Sequence, residues 1–155
     1  MDLGSRTAFE NQARFKMLTM PLKRPRRSTR SLEDLGTRVD QLAVLLTLLE
    51  PEIQEIFESG EVAPPSCWIV RYQARGRKSS YGYYKLHSTE PIFPTSIKGK
   101  MSRYKHLGKA GSSAYLDGVM QVVRRAKIEG LQRAINTLKA GIEDLSEEGR
   151  KNPPK

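Results

Sequence analysis

What the chain lacks narrows its chemistry first. It holds one cysteine, Cys67, among 155 residues, so no disulfide can form within it and its thiol content is compatible with a reducing cytoplasm. The two histidines, His87 and His106, with that one thiol, fall short of the three or four ligands at short spacing that a zinc site requires. No phosphate-cradling Gly-x-x-x-x-Gly-Lys sequence occurs; Gly99-Lys100 and Gly108-Lys109 lack the rest of it. No apolar run approaches the roughly 18 residues of a membrane-spanning helix, and the N-terminus has no continuous apolar segment of the secretory kind. Cys67, beside Trp68 at the start of a strand-like run, reads as a small buried residue. Glu50, Glu52, Glu55 and Glu58 read as a solvated helix face. The expectation is a cytoplasmic protein, nucleoid-associated if bacterial, that is no enzyme and uses no metal or cofactor.

What the chain has in excess is positive charge, unevenly placed. The net charge is +10 and the pI about 9.9, which suits a polyanionic partner, nucleic acid before an anionic membrane. Residues 1–30 carry 8 basic and 2 acidic side chains, and residues 31–66 carry 1 and 8. Residues 67–111 carry 10 and 1, and residues 112–155 carry 8 and 6. Two basic blocks therefore flank an acidic one.

The first block ends in Lys23-Arg24-Pro25-Arg26-Arg27-Ser28-Thr29-Arg30. Proline and like-charge repulsion both disfavour a helix here. Residues 1–30 read as a flexible basic arm, with Lys23, Arg24, Arg26 and Arg27 as phosphate or minor-groove contacts. From Ser31, a fair N-cap, the pattern changes. Leu32, Leu35, Val39, Leu42, Leu46, Leu49, Ile53 and Ile56 alternate spacings of three and four, the seam of a packed helix. Pro51 inside that seam predicts one helix ending near Glu50 and another restarting at the proline, with a kinked continuation as the rival, and the helical region closes at residue 58.

Cys67–Gln73, Tyr81–His87 and Met101–Leu107 read as three strands. A turn over residues 74–80 joins the first two, and a long loop over residues 88–100, containing Pro91 and Pro94, precedes the third. A helix over residues 112–145 follows, capped by Ser112 or Ser113. Its first part (Tyr115, Leu116, Val119, Val122, Val123, Ala126) offers a stripe for the sheet. Its second part (Ile128, Leu131, Ile135, Leu138, Ile142, Leu145) is another seam. Residues 146–155 read as a disordered tail. The expected fold class is α+β: a single domain over residues 31–145, with a three-stranded antiparallel sheet at residues 67–107 backed by the long C-terminal helix. The N-terminal helical segment pairs with that helix as an antiparallel stalk. The seams also suit a homodimer or a protein partner.

Alternation along the strands suggests a contact face of Arg71, Tyr83, Lys85, Arg103 and Lys105 and a core face of Trp68, Val70, Tyr84 and Leu86. Arg75, Arg77 and Lys78 at the turn and Lys109 beyond the third strand add cations. Such a surface neutralises phosphates, presents Arg and Lys to base edges or stacks tyrosines on unpaired bases. The reading is a nucleic-acid-binding protein, with DNA favoured over RNA. The rival is an interaction or scaffold protein working through its helices.

The order of an aromatic strand, a basic turn, a strand ending Tyr83-Tyr84-Lys85-Leu86, then Arg103-Tyr104-Lys105-His106-Leu107-Gly108-Lys109 and a helix resembles the arm-type DNA-binding domain of tyrosine recombinases over residues 67–126. That resemblance implies a three-stranded sheet in the major groove, with contacts from Arg71, Lys85, Arg103 and Lys105. It does not extend to the recombinase catalytic domain. Residues 83–135 are also similar to small uncharacterised bacterial proteins, cyanobacterial ones especially.

Overall fold

A computed structural model describes residues 32–151. The helix α1 spans Leu32–Glu58. Three strands follow it, β1 (Cys67–Arg75), β2 (Ser80–Ser88) and, after the two-residue strands β3 (Phe93–Pro94) and β4 (Met101–Ser102), β5 (Tyr104–Gly108). The helix α2 runs from Ser113 to Lys151. The fold is α+β, as expected, and the basic arm with Lys23, Arg24, Arg26 and Arg27 lies outside the described residues.

The main sheet has the order β1-β2-β5 with both pairings antiparallel. The β1–β2 hairpin is tighter than the sequence suggests. Nine residues pair on each side, and the turn closes with the Gly76 amide donating to the Ser79 carbonyl at 2.8 Å. The expected third strand is split. Met101 and Ser102 pair with Phe93 and Pro94 in a second small sheet, and only Tyr104 to Gly108 join the main one. The break falls at Arg103, whose carbonyl accepts from the Ser88 amide while the Ser102 hydroxyl accepts from the Tyr104 amide.

Helix α2 does two jobs. Its start is fixed by Ser112, whose hydroxyl accepts from the Tyr115 amide and donates to the Leu107 carbonyl, satisfying an orphan helix donor. Tyr115 and Val122 pack on the sheet core of Leu86, Phe93 and Leu107, joined by Cys67, Ile69, Tyr84 and Ile92. Leu116 and Val123, expected in that stripe, point outward instead, since buried Gly118 is where the helix meets Leu107. Further on, α2 lies antiparallel to α1, with Arg38 near Glu148 and Glu50 near Lys139. Both seams face inward: Leu35, Ile128, Ile135 and Leu145 are buried, and the remaining described seam positions are half-buried.

Two expectations about helix ends are corrected. Pro51 does not end a helix, and α1 is continuous across it. The ring forfeits one backbone bond, while Leu49, Ile53 and Ile56 on either side of it stay half-buried in the seam. Likewise α2 continues six residues past Leu145, through Lys151. Glu148 reaches Arg38, Glu147 pairs with Lys151 one turn on, and the Ser146 hydroxyl donates to the Ile142 carbonyl.

Candidate nucleic-acid interface

The register of the sheet decides which side chains share a face. Opposed residues in an antiparallel pair project to the same side. Cys67, Ile69, Arg71 and Gln73 oppose Ser88, Leu86, Tyr84 and Gly82. This is the helix side, since Leu86, Tyr84 and Ile69 belong to the core. Trp68, Val70, Tyr72 and Ala74 oppose His87, Lys85, Tyr83 and Tyr81. From β5, Tyr104 and His106 oppose His87 and Lys85 and complete that outer face.

The sequence-based division of faces is therefore half wrong. Tyr83 and Lys85 are on the outer face, as expected. Trp68 and Val70 are there too and not in the core; Trp68 is 41% exposed. Arg71 lies on the helix side, where it extends over Gly82. Lys105 opposes Leu86, also on the helix side, and Arg103 sits at the joint between β4 and β5. Both are exposed at the sheet edge. The physical reason is that α2 covers only one end of the sheet. Strand β1 needs apolar residues on its inner side at Cys67 and Ile69 alone, and Arg71, Gln73 and Arg75 are exposed beyond the helix. The apolar weight of Trp68, Val70 and Tyr72 thus marks the free face. Register, which alternation within one strand does not reveal, is what places them.

The outer face is a connected layer of rings and cations. His87 meets Trp68 edge-on, with centroids 4.3 Å apart, and lies parallel to Tyr104 at 4.6 Å. Two residues along, Lys85 places its Nζ 3.8 Å from the Tyr104 centroid and 5.1 Å from that of Tyr72. Tyr72 stacks with Tyr83 at 6.0 Å, and its hydroxyl is 2.9 Å from Nδ1 of His106. Lys109, just past β5, lies over Tyr81 at 5.0 Å and Tyr83 at 5.9 Å. Each exposed cation–π contact is worth about 0.5–1 kcal/mol. Alternation along β2 places His87 with Tyr83 and Lys85, but sequence reasoning missed Trp68, Tyr72, Tyr81, Tyr104 and His106 as members of this face.

Around the layer stand cations with no carboxylate partner among the described residues. Arg75, Arg77 and Lys78 are exposed at the hairpin tip, and Lys98 and Lys100 on the β3–β4 turn. Among the described residues the ion pairs are Arg38 with Asp34 and Glu148, Lys139 with Glu50, and Lys151 with Glu147. All are on the helices, and none takes up a cation of the sheet. Beside β5 a groove of about 500 Å³ is lined by Phe93, Thr95, Ser96, Ser102, Lys105 and His106, among others. Among the described residues, no group of three or more His, Cys, Asp or Glu could hold a metal ion. No helix among them is long and apolar enough to cross a membrane.

Cys67 is half-buried at the start of β1 on the helix side. Burial raises its thiol pKa above the ordinary value, against the smaller lowering effects of a hydrogen bond with Ser88 and the charge of Arg125. Its place under the helix and its raised pKa both favour the protonated, packing form of the thiol. Comparison with protein families, with curated proteins and with solved structures finds no match.

Proposed function

We propose that this protein binds nucleic acid through the outer face and rim of its sheet, without catalysing a reaction on it. The observation that carries this reading is the pairing of an open aromatic layer with sheet cations that no carboxylate among the described residues neutralises. Exposed rings supply stacking surface worth about 1–3 kcal/mol per base. Unpaired lysines and arginines around them supply phosphate contacts whose strength comes from counterion release. DNA is the first partner to test.

Affinity for DNA should fall steeply with salt, with a log–log slope of several units if about six phosphates are contacted. Removing Arg75, Arg77 and Lys78 together should lower that slope by about three, one for each lost phosphate contact. Affinity that is indifferent to salt would sink the reading.

A second reading rests on a different observation. Val44, Leu45 and Leu48 on α1 are 58%, 40% and 47% exposed, an apolar stripe one or two turns long. It suits a protein partner or a second copy of the chain, and sedimentation of the purified protein distinguishes self-association from a monomer.

A further inference from the structure

The composition of the outer face separates two modes of nucleic-acid binding. Reading a duplex through its major groove calls for Arg, Lys, Asn or Gln on the entering surface, because only base edges are on offer there. Here the paired strands place one cation, Lys85, among Trp68, Val70, Tyr72, Tyr81, Tyr83, His87, Tyr104 and His106. The arginines lie at the hairpin tip, on the helix side or at the β4–β5 joint. Such a face is built to meet the flat sides of bases, which a duplex hides.

Spacing points the same way. Successive rows of outward side chains along a strand are about 6.7 Å apart, twice the roughly 3.4 Å rise of a stacked strand. Bases engaging adjacent rows must therefore be unstacked from each other. The two lysines nearest the rings complete the picture. Half-buried Lys85 covers Tyr104, and exposed Lys109 covers Tyr81, each holding a ring face with an ammonium that a phosphate attracts more strongly than a ring does.

We propose that the outer face selects unpaired strands over duplex, with bases taking the ring faces of Tyr104 and Tyr81 as Lys85 and Lys109 move to the adjoining phosphates. This rests on the nucleic-acid reading above. It applies to single-stranded DNA and RNA alike, since both present the same base faces and phosphates.

The test uses the full chain with oligothymidylate and oligouridylate of about twelve nucleotides and a DNA duplex of the same length, at one salt concentration. At least one single strand should bind about tenfold or more tighter than the duplex, a gap that one stacked base can supply. It should also quench Trp68, the one tryptophan in the chain. The double variant Tyr81→Leu/Tyr104→Leu, made at two exposed positions, should lose that preference, its single-strand affinity falling about tenfold or more while its duplex affinity falls much less. Losing the ring contacts to Lys85, Lys109 and His87 should lower its thermal midpoint by only a few degrees. Lys85→Met should reduce the salt slope for the single strand by about one; tighter binding by that variant would contradict the transfer of its ammonium to phosphate. Equal affinity for single strand and duplex, or equal weakening of both by the tyrosine variant, overturns the selectivity and leaves the broader reading standing. Failure to bind any of the three overturns the broader reading itself.

Discussion

Gly118 of α2 lies so close to Leu107 of β5 that a Cβ at position 118 would stand 2.8 Å from the leucine Cδ1. That approach seats the long helix on the sheet and leaves the opposite face free. Alanine is the better helix former by about 1 kcal/mol, but inserting a methyl into a packed contact costs about 1–3 kcal/mol. Gly118→Ala should therefore lower stability by up to about 2 kcal/mol in denaturant titration. Gly36→Ala in α1, where nothing lies within 4 Å, should raise it by about 1 kcal/mol. The two substitutions should have opposite signs.

Arg124 braces the passage from helix to sheet. Its guanidinium donates to the Glu61 and Ser59 carbonyls and to the Ser59 hydroxyl, each at 3.1 Å. It sits against Gly60, whose φ of +142° and missing Cβ leave it room. Arg124→Ala should cost about 1–3 kcal/mol. Arg124→Lys should recover less than half of that, because an ammonium cannot reproduce the planar fork. Full recovery by lysine would mean that charge alone matters here.

Pro51 is a built-in weakness of α1. Interior proline is about 3 kcal/mol less favourable than alanine, and the unbroken helix absorbs that cost through its packing. Pro51→Ala should raise the thermal midpoint and leave nucleic-acid affinity unchanged. A lower midpoint would show that the proline is needed where it stands.

How far the fold was legible follows from these positions. Seams of three-and-four spacing announced both helices because each buries one continuous stripe along its length. The proline rule, not the seam, misjudged Pro51, since the outcome depended on packing against a second helix, whose Lys139 pairs with the neighbouring Glu50. Strands β1 and β2 were visible as runs of Val, Ile, Trp and Tyr. The division of faces was not. Trp68 and Val70 look like core by composition, and only the pairing of Trp68 with His87 and Ile69 with Leu86 shows that they face outward. Of the expected contacts, Tyr83 and Lys85 meet on one surface and Arg71 and Lys105 lie on the other. The rings that dominate the surface were taken for structure.

Cys67 offers a pH test. Burial holds its proton more tightly in the folded protein, so this group's contribution to stability is intact below the thiol pKa of the unfolded chain and is lost as pH rises through the higher pKa of the folded thiol. Alkylation by iodoacetamide should be slower in the native protein than in the denatured chain from neutral to mildly alkaline pH. Equal or faster native reaction would indicate an activated thiolate, which the helix-side environment does not support.

Which surface meets nucleic acid is decided by a chemical-shift titration of labelled protein with a short single-stranded oligonucleotide. Perturbations should concentrate on Trp68, Tyr72, Tyr83, Lys85, His87, Tyr104 and His106, with smaller ones at Arg75, Arg77 and Lys78. Perturbations confined to α1 around Val44, Leu45 and Leu48, or to the helix side of the sheet around Arg71 and Lys105, would contradict binding at the outer face.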